Sequence, residues 1–125
     1  TDFNPNSILT HSPTDCNNDH QLIFKSVLMA TRPMYPNPIE TIACFEINSS
    51  TEWNFNETFK PNYFENITDN QLDKKLDALA QYLDEIRLDR HPRSMNGVKT
   101  LALNRGYQSG LKYAESFRII RSINK

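Results

Sequence analysis

The run TIACFEI, residues 41–47, is the feature that most constrains the fold of this 125-residue chain. Its one charged residue is Glu46, and its other side chains are nearly all apolar. Short runs of this kind are typical of a strand that is buried within a parallel sheet. The segments on either side of this run indicate whether the helices and further strands of such a fold are also present.

Those flanking segments predict helices and strands in alternation. Apolar residues at helical spacing predict helices over residues 20–31, 70–88 and 95 to 106 or 110. Asp19, Asp69 and Ser94 precede these helices as candidate N-caps. Strands are predicted over residues 7–10, 41–47 and 116–120. This order indicates an α/β fold with a mostly parallel sheet. Because three strands leave the faces and edges of such a sheet poorly covered, we expect the chain to be part of a larger fold.

The composition argues against two classes of partner. With 14 basic and 15 acidic residues, the chain carries no field that favours nucleic acid or an anionic membrane. No apolar run approaches the ~20 residues that cross a bilayer, and no signal peptide is evident. Cys16 and Cys44 match no disulfide framework, which predicts two free thiols and a cytoplasmic protein.

Since the chain begins at Thr1 rather than methionine, we expect a fragment or a processed product.

The loop before the first helix concentrates polar side chains. It reads THSPTDCNNDH, residues 10–20, and contains two histidines and two aspartates. Two interpretations fit this string. It forms a polar helix entry that caps itself, or it forms part of a metal site.

Five strings of the sequence, taken in order, resemble one known family. They are THSPTDCNNDH, SSTEW at 49–53, HPRS at 91–94, ALNRGYQSG at 102–110 and KYAESF at 112–117. Together they resemble the LmbE-like de-N-acetylases, the family that includes GlcNAc-phosphatidylinositol de-N-acetylase. The resemblance covers nearly the whole chain.

The resemblance implies a Rossmann-like, three-layer α/β/α fold with a zinc site at the carboxyl ends of its parallel strands. Members of the family build that site from an HPDDE-type motif and a later HxDH-type motif. The second motif falls on residues 17–20, which implies His20 as a zinc ligand. The first motif is absent from this chain. Residues 1–125 are therefore expected to form a single domain, the carboxyl-terminal part of the fold. Its expected partner is the missing amino-terminal half or further copies of the chain.

The same loop supplies the candidate catalytic residues. Asn17 stands where many relatives carry a histidine, and an amide can donate to an oxyanion but cannot act as an acid at neutral pH. His11 or Asp15 could take over the acid's role. Asp19 is expected to cap the helix and to orient the metal-bound loop.

Candidate substrate-binding residues follow the central strand, where α/β folds place ligands. Trp53 could stack on a sugar ring, and Arg93 could bind an anionic sugar phosphate. Loop packing explains these positions equally well. The full candidate set is Glu46, Ser49, Thr51, Glu52, Trp53 and Arg93.

Taken together, the sequence predicts the carboxyl-terminal portion of a zinc-dependent hydrolase. The intact enzyme would remove an N-acetyl group from an amino sugar or its conjugate. This chain alone is expected to be inactive, because one histidine cannot hold a catalytic zinc that needs about three protein ligands. The alternative is a non-catalytic remnant or carbohydrate-binding module of the same fold.

Overall fold

The computed structural model describes residues 3–35 and 38–124. The strands are β1 (Ser7–His11), β2 (Thr41–Phe45), β3 (Tyr63–Asn66) and β4 (Ala114–Ser122). The helices are α1 (Asn18–Ala30), α2 (Asp69–Ala80) and α3 (Met95–Ser109), with a 3₁₀ turn at Thr51–Trp53. The chain divides into two compact units, residues 1–63 with 117–125 and residues 64–116. The α/β class predicted from the sequence is confirmed.

The four strands form one mixed sheet in the order β1-β2-β4-β3. β1 and β2 are parallel, with Ser7 opposite Thr41 and His11 opposite Phe45. β2 and β4 are antiparallel. The expectation of a mostly parallel sheet was therefore wrong for the last strand. β4 interrupts its apolar residues with Arg118 and Arg121, a pattern that an antiparallel strand tolerates and a doubly buried parallel strand does not.

The strand β3 was not predicted from the sequence. Its residues, YFEN, follow a long segment of aromatic and hydroxyl side chains that has no clear period. Four residues are too short for alternation to stand out from such a background. A strand of this length depends on its neighbour for its conformation rather than on its own sequence.

The helix α1 packs next to β1 in the first unit. Its N-cap is Asn17, whose side chain accepts the N–H of Asp19 at 2.8 Å. The prediction that Asp19 caps this helix was wrong. Asp19 instead lies in the first turn, where a negative charge is favourable because the helix dipole is positive there. Phe24 of α1 is buried, as are Ile42 and Cys44 of β2.

The helix α2 ends at Ala80, whereas the sequence predicted that it reaches residue 88. Thr68 caps it in a capping box with Gln71, so Asp69 is its first residue and not its cap. The leucine stripe is buried at Leu72, but Leu83 is 80% exposed. Because most helical stability comes from packing of the apolar face, the helix ends where that face loses its cover.

The second unit has its own small core. Leu72, Ala102 and Tyr113 form it, and Ile67 and Leu76 pack against it. Ser94 caps α3 by accepting the N–H of Gly97 at 2.9 Å, as predicted. Among the described residues, no helix is long and apolar enough to cross a membrane.

Gly106 of α3 and Gly110, the C-cap of that helix, allow a test of the close packing between α3 and the segment that follows it. A Cβ at Gly106 would lie 2.6 Å from the carbonyl oxygens of Leu111 and Lys112, whereas a Cβ at Gly110 would contact nothing within 4 Å. Gly110 has a positive φ of 73°, so alanine there adds only backbone strain of about 1 kcal/mol. We expect Gly106→Ala to lower the free energy of unfolding by more than about 2 kcal/mol. Urea denaturation of both variants measures the difference, and equal losses would contradict this packing.

Candidate active site

The side chain of Asp15 lies at the centre of the polar cluster in the first unit. It belongs to the loop after β1 and is fully buried, with a relative exposure of 0%. Its backbone N–H donates to the carbonyl of Ser12 at 3.2 Å. The hydroxyls of Ser12 and Thr14 are hydrogen-bonded to each other at 2.8 Å, and both residues are buried. A buried carboxylate is stable only when several donors surround it.

The first donors come from the turn after β2, which we call the SST turn (residues 49–51). The hydroxyl of Ser50 donates to Oδ1 of Asp15, and the hydroxyl of Thr51 donates to Oδ2 at 2.9 Å. The Thr51 oxygen also accepts the backbone N–H of Ile47 at 2.7 Å. Since parallel β1 and β2 end side by side, their two loops meet at this carboxylate.

The SST turn has a geometry that its own residues stabilise. Ser49 has a positive φ of 65°, which is uncommon for a residue other than glycine. The carboxylate of Glu52 accepts the backbone N–H groups of Ser49 and Ser50, the latter at 3.2 Å. Glu52 therefore closes the turn, a structural role that differs from the substrate binding predicted for it from the sequence.

The remaining donors come from the start of α1. The backbone N–H of Asn17 donates to Oδ1 of Asp15 at 2.8 Å. Nδ1 of His20 lies 3.1 Å from the same oxygen, close enough for an ion pair although the ring is not aligned for a linear hydrogen bond. The His20 side chain is 20% exposed, and its Nδ1 is the buried atom. The Nδ1 edge of this imidazole is thus held against the carboxylate, while another part of the side chain is exposed.

The surroundings of Asp15 keep it ionised. Burial alone would raise the pKa of its carboxyl group, but the donors outweigh burial and the pKa is lowered. The largest of these opposing contributions comes from the Ser50 hydroxyl, followed by the backbone N–H of Asn17. An ionised, fully bonded carboxylate is suited to orienting its neighbours and poorly suited to donating a proton.

His11, the last residue of β1, lies against His20. The two rings stack with centroids 4.2 Å apart and an angle of 24° between their planes. Phe45, opposite His11 in the sheet, has its ring centroid 5.1 Å from that of His11. Burial lowers the pKa of His11, the electrostatic interaction with the neighbouring His20 ring lowers it further, and the negative charge of Asp15 partly offsets both. His11 is therefore held as a neutral imidazole.

The structure brings most of the predicted site residues into the first unit. His20 contacts both His11 and Asp15, and the backbone N–H of Asn17 and the hydroxyl of Thr51 donate to the Asp15 carboxylate. Around them lie exposed Asp19 at the start of α1, half-buried Glu46 after β2, and Ser49, Glu52 and Trp53 in or next to the SST turn.

Arg93 differs from the other predicted residues because it belongs to the second unit. Its guanidinium forms an ion pair with Glu85, and its backbone N–H donates to Nδ1 of His91 at 3.0 Å. These contacts stabilise the turn before α3. They account for the position of Arg93 without a ligand.

Sequence reasoning missed Ser50, which donates directly to Asp15. Its neighbours in the SSTEW string were singled out, but nothing in the string distinguishes one hydroxyl from the next. The only available signal was the parallel pairing of the two strands, because it places both loops at the same edge of the sheet.

The described residues do not form a complete metal site. No group of three histidine, cysteine, aspartate or glutamate side chains converges within residues 3–35 and 38–124. A zinc ion in a catalytic site takes about three protein ligands. His20 has the chemistry of one such ligand, because its Nδ1 is turned to a carboxylate and Nε2 is the remaining donor atom.

Comparisons with protein-family models, with curated proteins and with solved structures found no match to this chain. The resemblance to the LmbE-like de-N-acetylases therefore stays a prediction from its sequence strings. The geometry around Asp15 is the observation on which a function can be argued.

The pH dependence of stability tests the Asp15 cluster. Because the pKa of Asp15 is lower in the folded chain than its ordinary value of 3.8, the unfolded chain binds more protons between those two values. The stabilisation is complete above pH 3.8 and is lost as the pH falls through the folded pKa. We expect Asp15→Asn to lower the free energy of unfolding at pH 7 by about 2–3 kcal/mol, since charge-assisted bonds are lost. The variant should also lose less stability than the native chain as the pH falls. Urea titrations from pH 3 to 7 measure both effects, and parallel curves for the two proteins would contradict the prediction.

Proposed function

We propose that this chain is the carboxyl-terminal portion of a zinc-dependent hydrolase of the LmbE-like family. The enzyme would remove an N-acetyl group from an amino sugar or its conjugate. On this proposal the mixed sheet belongs to a larger Rossmann-like, three-layer fold. The two free thiols, Cys16 and Cys44, favour a reducing compartment and hence the cytoplasm.

The contact between Asp15 and His20 is the observation that carries this proposal. Histidines that bind metals usually turn their other ring nitrogen to a carboxylate or carbonyl, which fixes the tautomer and raises the basicity of the ligating atom. Here Nδ1 of His20 lies 3.1 Å from a buried, ionised carboxylate. A proton on Nδ1 leaves the lone pair of Nε2 for a metal. The surrounding donors hold the carboxylate in place, so the histidine is oriented in advance.

His20 would hold the zinc together with ligands from the amino-terminal half of the same fold, which is the partner that the resemblance implies. Bound zinc supplies Lewis acidity for the attack of water on the N-acetyl carbonyl. The residues of this chain would position the reacting groups around it. Asp15 orients His20, and the amide of Asn17 can donate to the developing oxyanion.

Proton transfer to the leaving amine is assigned to His11 rather than to Asp15. The Asp15 carboxylate is ionised and receives donors at both oxygens. His11 is the other imidazole of the cluster, and its buried Nδ1 has no hydrogen-bond partner among the described residues. A neutral imidazole with an unused nitrogen can take up a proton from water and pass it on.

The sugar would lie over the segment that follows β2. Trp53 is 46% exposed, so its indole ring can stack on a sugar face. Ser49 and Glu46 lie on the same segment and offer polar groups to sugar hydroxyls. Arg93 retains its proposed contact with an anionic group only if its ion pair with Glu85 opens.

The second candidate is a carbohydrate-binding module of the same fold without catalysis. It is favoured by the absence of three converging metal-binding side chains among the described residues. Zinc content separates the two candidates. About one zinc per molecule of the protein that contains this chain supports the hydrolase, and none supports the module.

Substitutions of His20 and Asp15 in that protein test the hydrolase. His20→Ala should reduce zinc affinity and acetate release from N-acetylglucosamine conjugates to background, because a ligand is removed. Asp15→Asn should weaken zinc binding and activity by about 10–100-fold, the usual effect of losing a carboxylate behind a ligating histidine. Lys25→Ala, on the exposed surface of α1, is the control and should change neither. Full activity in His20→Ala would exclude His20 as a ligand.

A further inference from the structure

A cleft of about 320 Å³ opens on the first unit beside the Asp15 loop. It is lined by Thr14, Asn56, Glu57, Thr58, Lys60 and Arg118. This volume is at the lower end of the range for small-molecule sites. Lys60 and Arg118 bring two positive charges to the lining, and Glu57 brings one negative charge. The lining therefore carries a net positive charge.

Two asparagines fix the shape of this cleft. Asn54 donates from its amide to the carbonyl of Thr14 at 2.9 Å and accepts the N–H groups of Asn56 and Glu57 at 3.2 Å. Asn62 accepts the N–H of Ile119 on β4 at 2.7 Å. The segment from 54 to 62 is thus bonded at one end to the Asp15 loop and at the other to the strand that carries Arg118. Fixed walls reduce the entropy lost when a ligand binds.

Arg118 differs from Arg121, the other arginine of β4. The guanidinium of Arg121 donates to the carbonyls of Thr31 and Ile39, at 2.7 and 3.2 Å, and so has a structural role. Among the residues that the structure describes, no carboxylate pairs with Arg118. Arg118 stands opposite Cys44 in the sheet. Burial raises the pKa of that thiol to about 11, although Arg118 opposes the shift, so the thiol is neutral and cannot balance the guanidinium.

We propose that this cleft binds the anionic group of a small ligand, a phosphate or a carboxylate, through the guanidinium of Arg118 with Lys60 at its side. A guanidinium presents two parallel N–H donors that match either group. The hydroxyls of Thr14 and Thr58 add neutral polar groups to the lining. The inference stands apart from the hydrolase, because it concerns binding and requires neither zinc nor turnover.

Three sugars that differ in one substituent test the proposal: glucose 6-phosphate, glucuronate and glucose. Calorimetric titration of the chain in low-salt buffer should detect binding of at least one of the two anions. The affinity for that anion should fall as salt is added. Glucose should bind at least about tenfold more weakly, because it forms no charge-assisted hydrogen bond. The anion that binds more tightly identifies the ligand as a phosphate or a carboxylate. Equal binding of all three sugars, or no binding of either anion, would overturn the proposal.

Variants separate this cleft from general surface charge. Arg118→Ala should weaken binding of the preferred anion by about tenfold or more, whereas Lys25→Ala removes the same charge from α1 and should change it less than about twofold. Arg118→Lys keeps the charge and loses the paired donors, so it should fall between the two. If thermal melting shows that Arg118→Ala does not fold, the affinity of Arg118→Lys for the anion tests the proposal in its place. If Lys25→Ala lost as much affinity for the anion as the Arg118 variants, the binding would come from general surface charge, and the proposed site would be refuted.

Discussion

The carboxylate of Asp15 joins the loop after β1 to the turn after β2, and the rest of the candidate site depends on that junction. Parallel pairing of the two strands brings both loops to one edge of the sheet. The hydroxyls of Ser50 and Thr51 donate to its two oxygens from the turn, and Asn17 and His20 approach it from the start of α1. A single buried charge thus sets the positions of three chain segments at once.

The buried charge also restricts how the loops at this junction can be arranged. An ionised carboxylate buried in the protein is unfavourable by many kcal/mol unless hydrogen-bond donors replace the water that would solvate it. The loops therefore cannot shift without exposing the carboxylate or removing its donors. The same constraint turns His20 in a defined direction and leaves its outer nitrogen available. On the proposed function, stability and activity would therefore depend on the same residue, with Asp15 orienting His20 rather than reacting.

Features with a strong local cause could be predicted from the sequence, and features set by distant contacts could not. The central strand was predicted because it is almost uniformly apolar, and the cap of α3 because serine has a marked preference for that position. The end of α2 was missed because Leu83 continues the stripe in sequence but remains exposed in the fold. Asp15 was singled out from the sequence as a candidate site residue, but its bond to Ser50 depends on a residue 35 positions away and could not be predicted.

The tautomer of His20 tests the central claim most directly, since it reports the Asp15 contact without zinc or substrate. A long-range ¹H–¹⁵N spectrum of the chain at neutral pH distinguishes the two ring nitrogens, and spectra of His20→Gln and Asp15→Asn assign the signals and provide the control. The account predicts that neutral His20 carries its proton on Nδ1, and that this preference is lost in Asp15→Asn. A proton on Nε2 of His20 in the native chain, unchanged in Asp15→Asn, would contradict it.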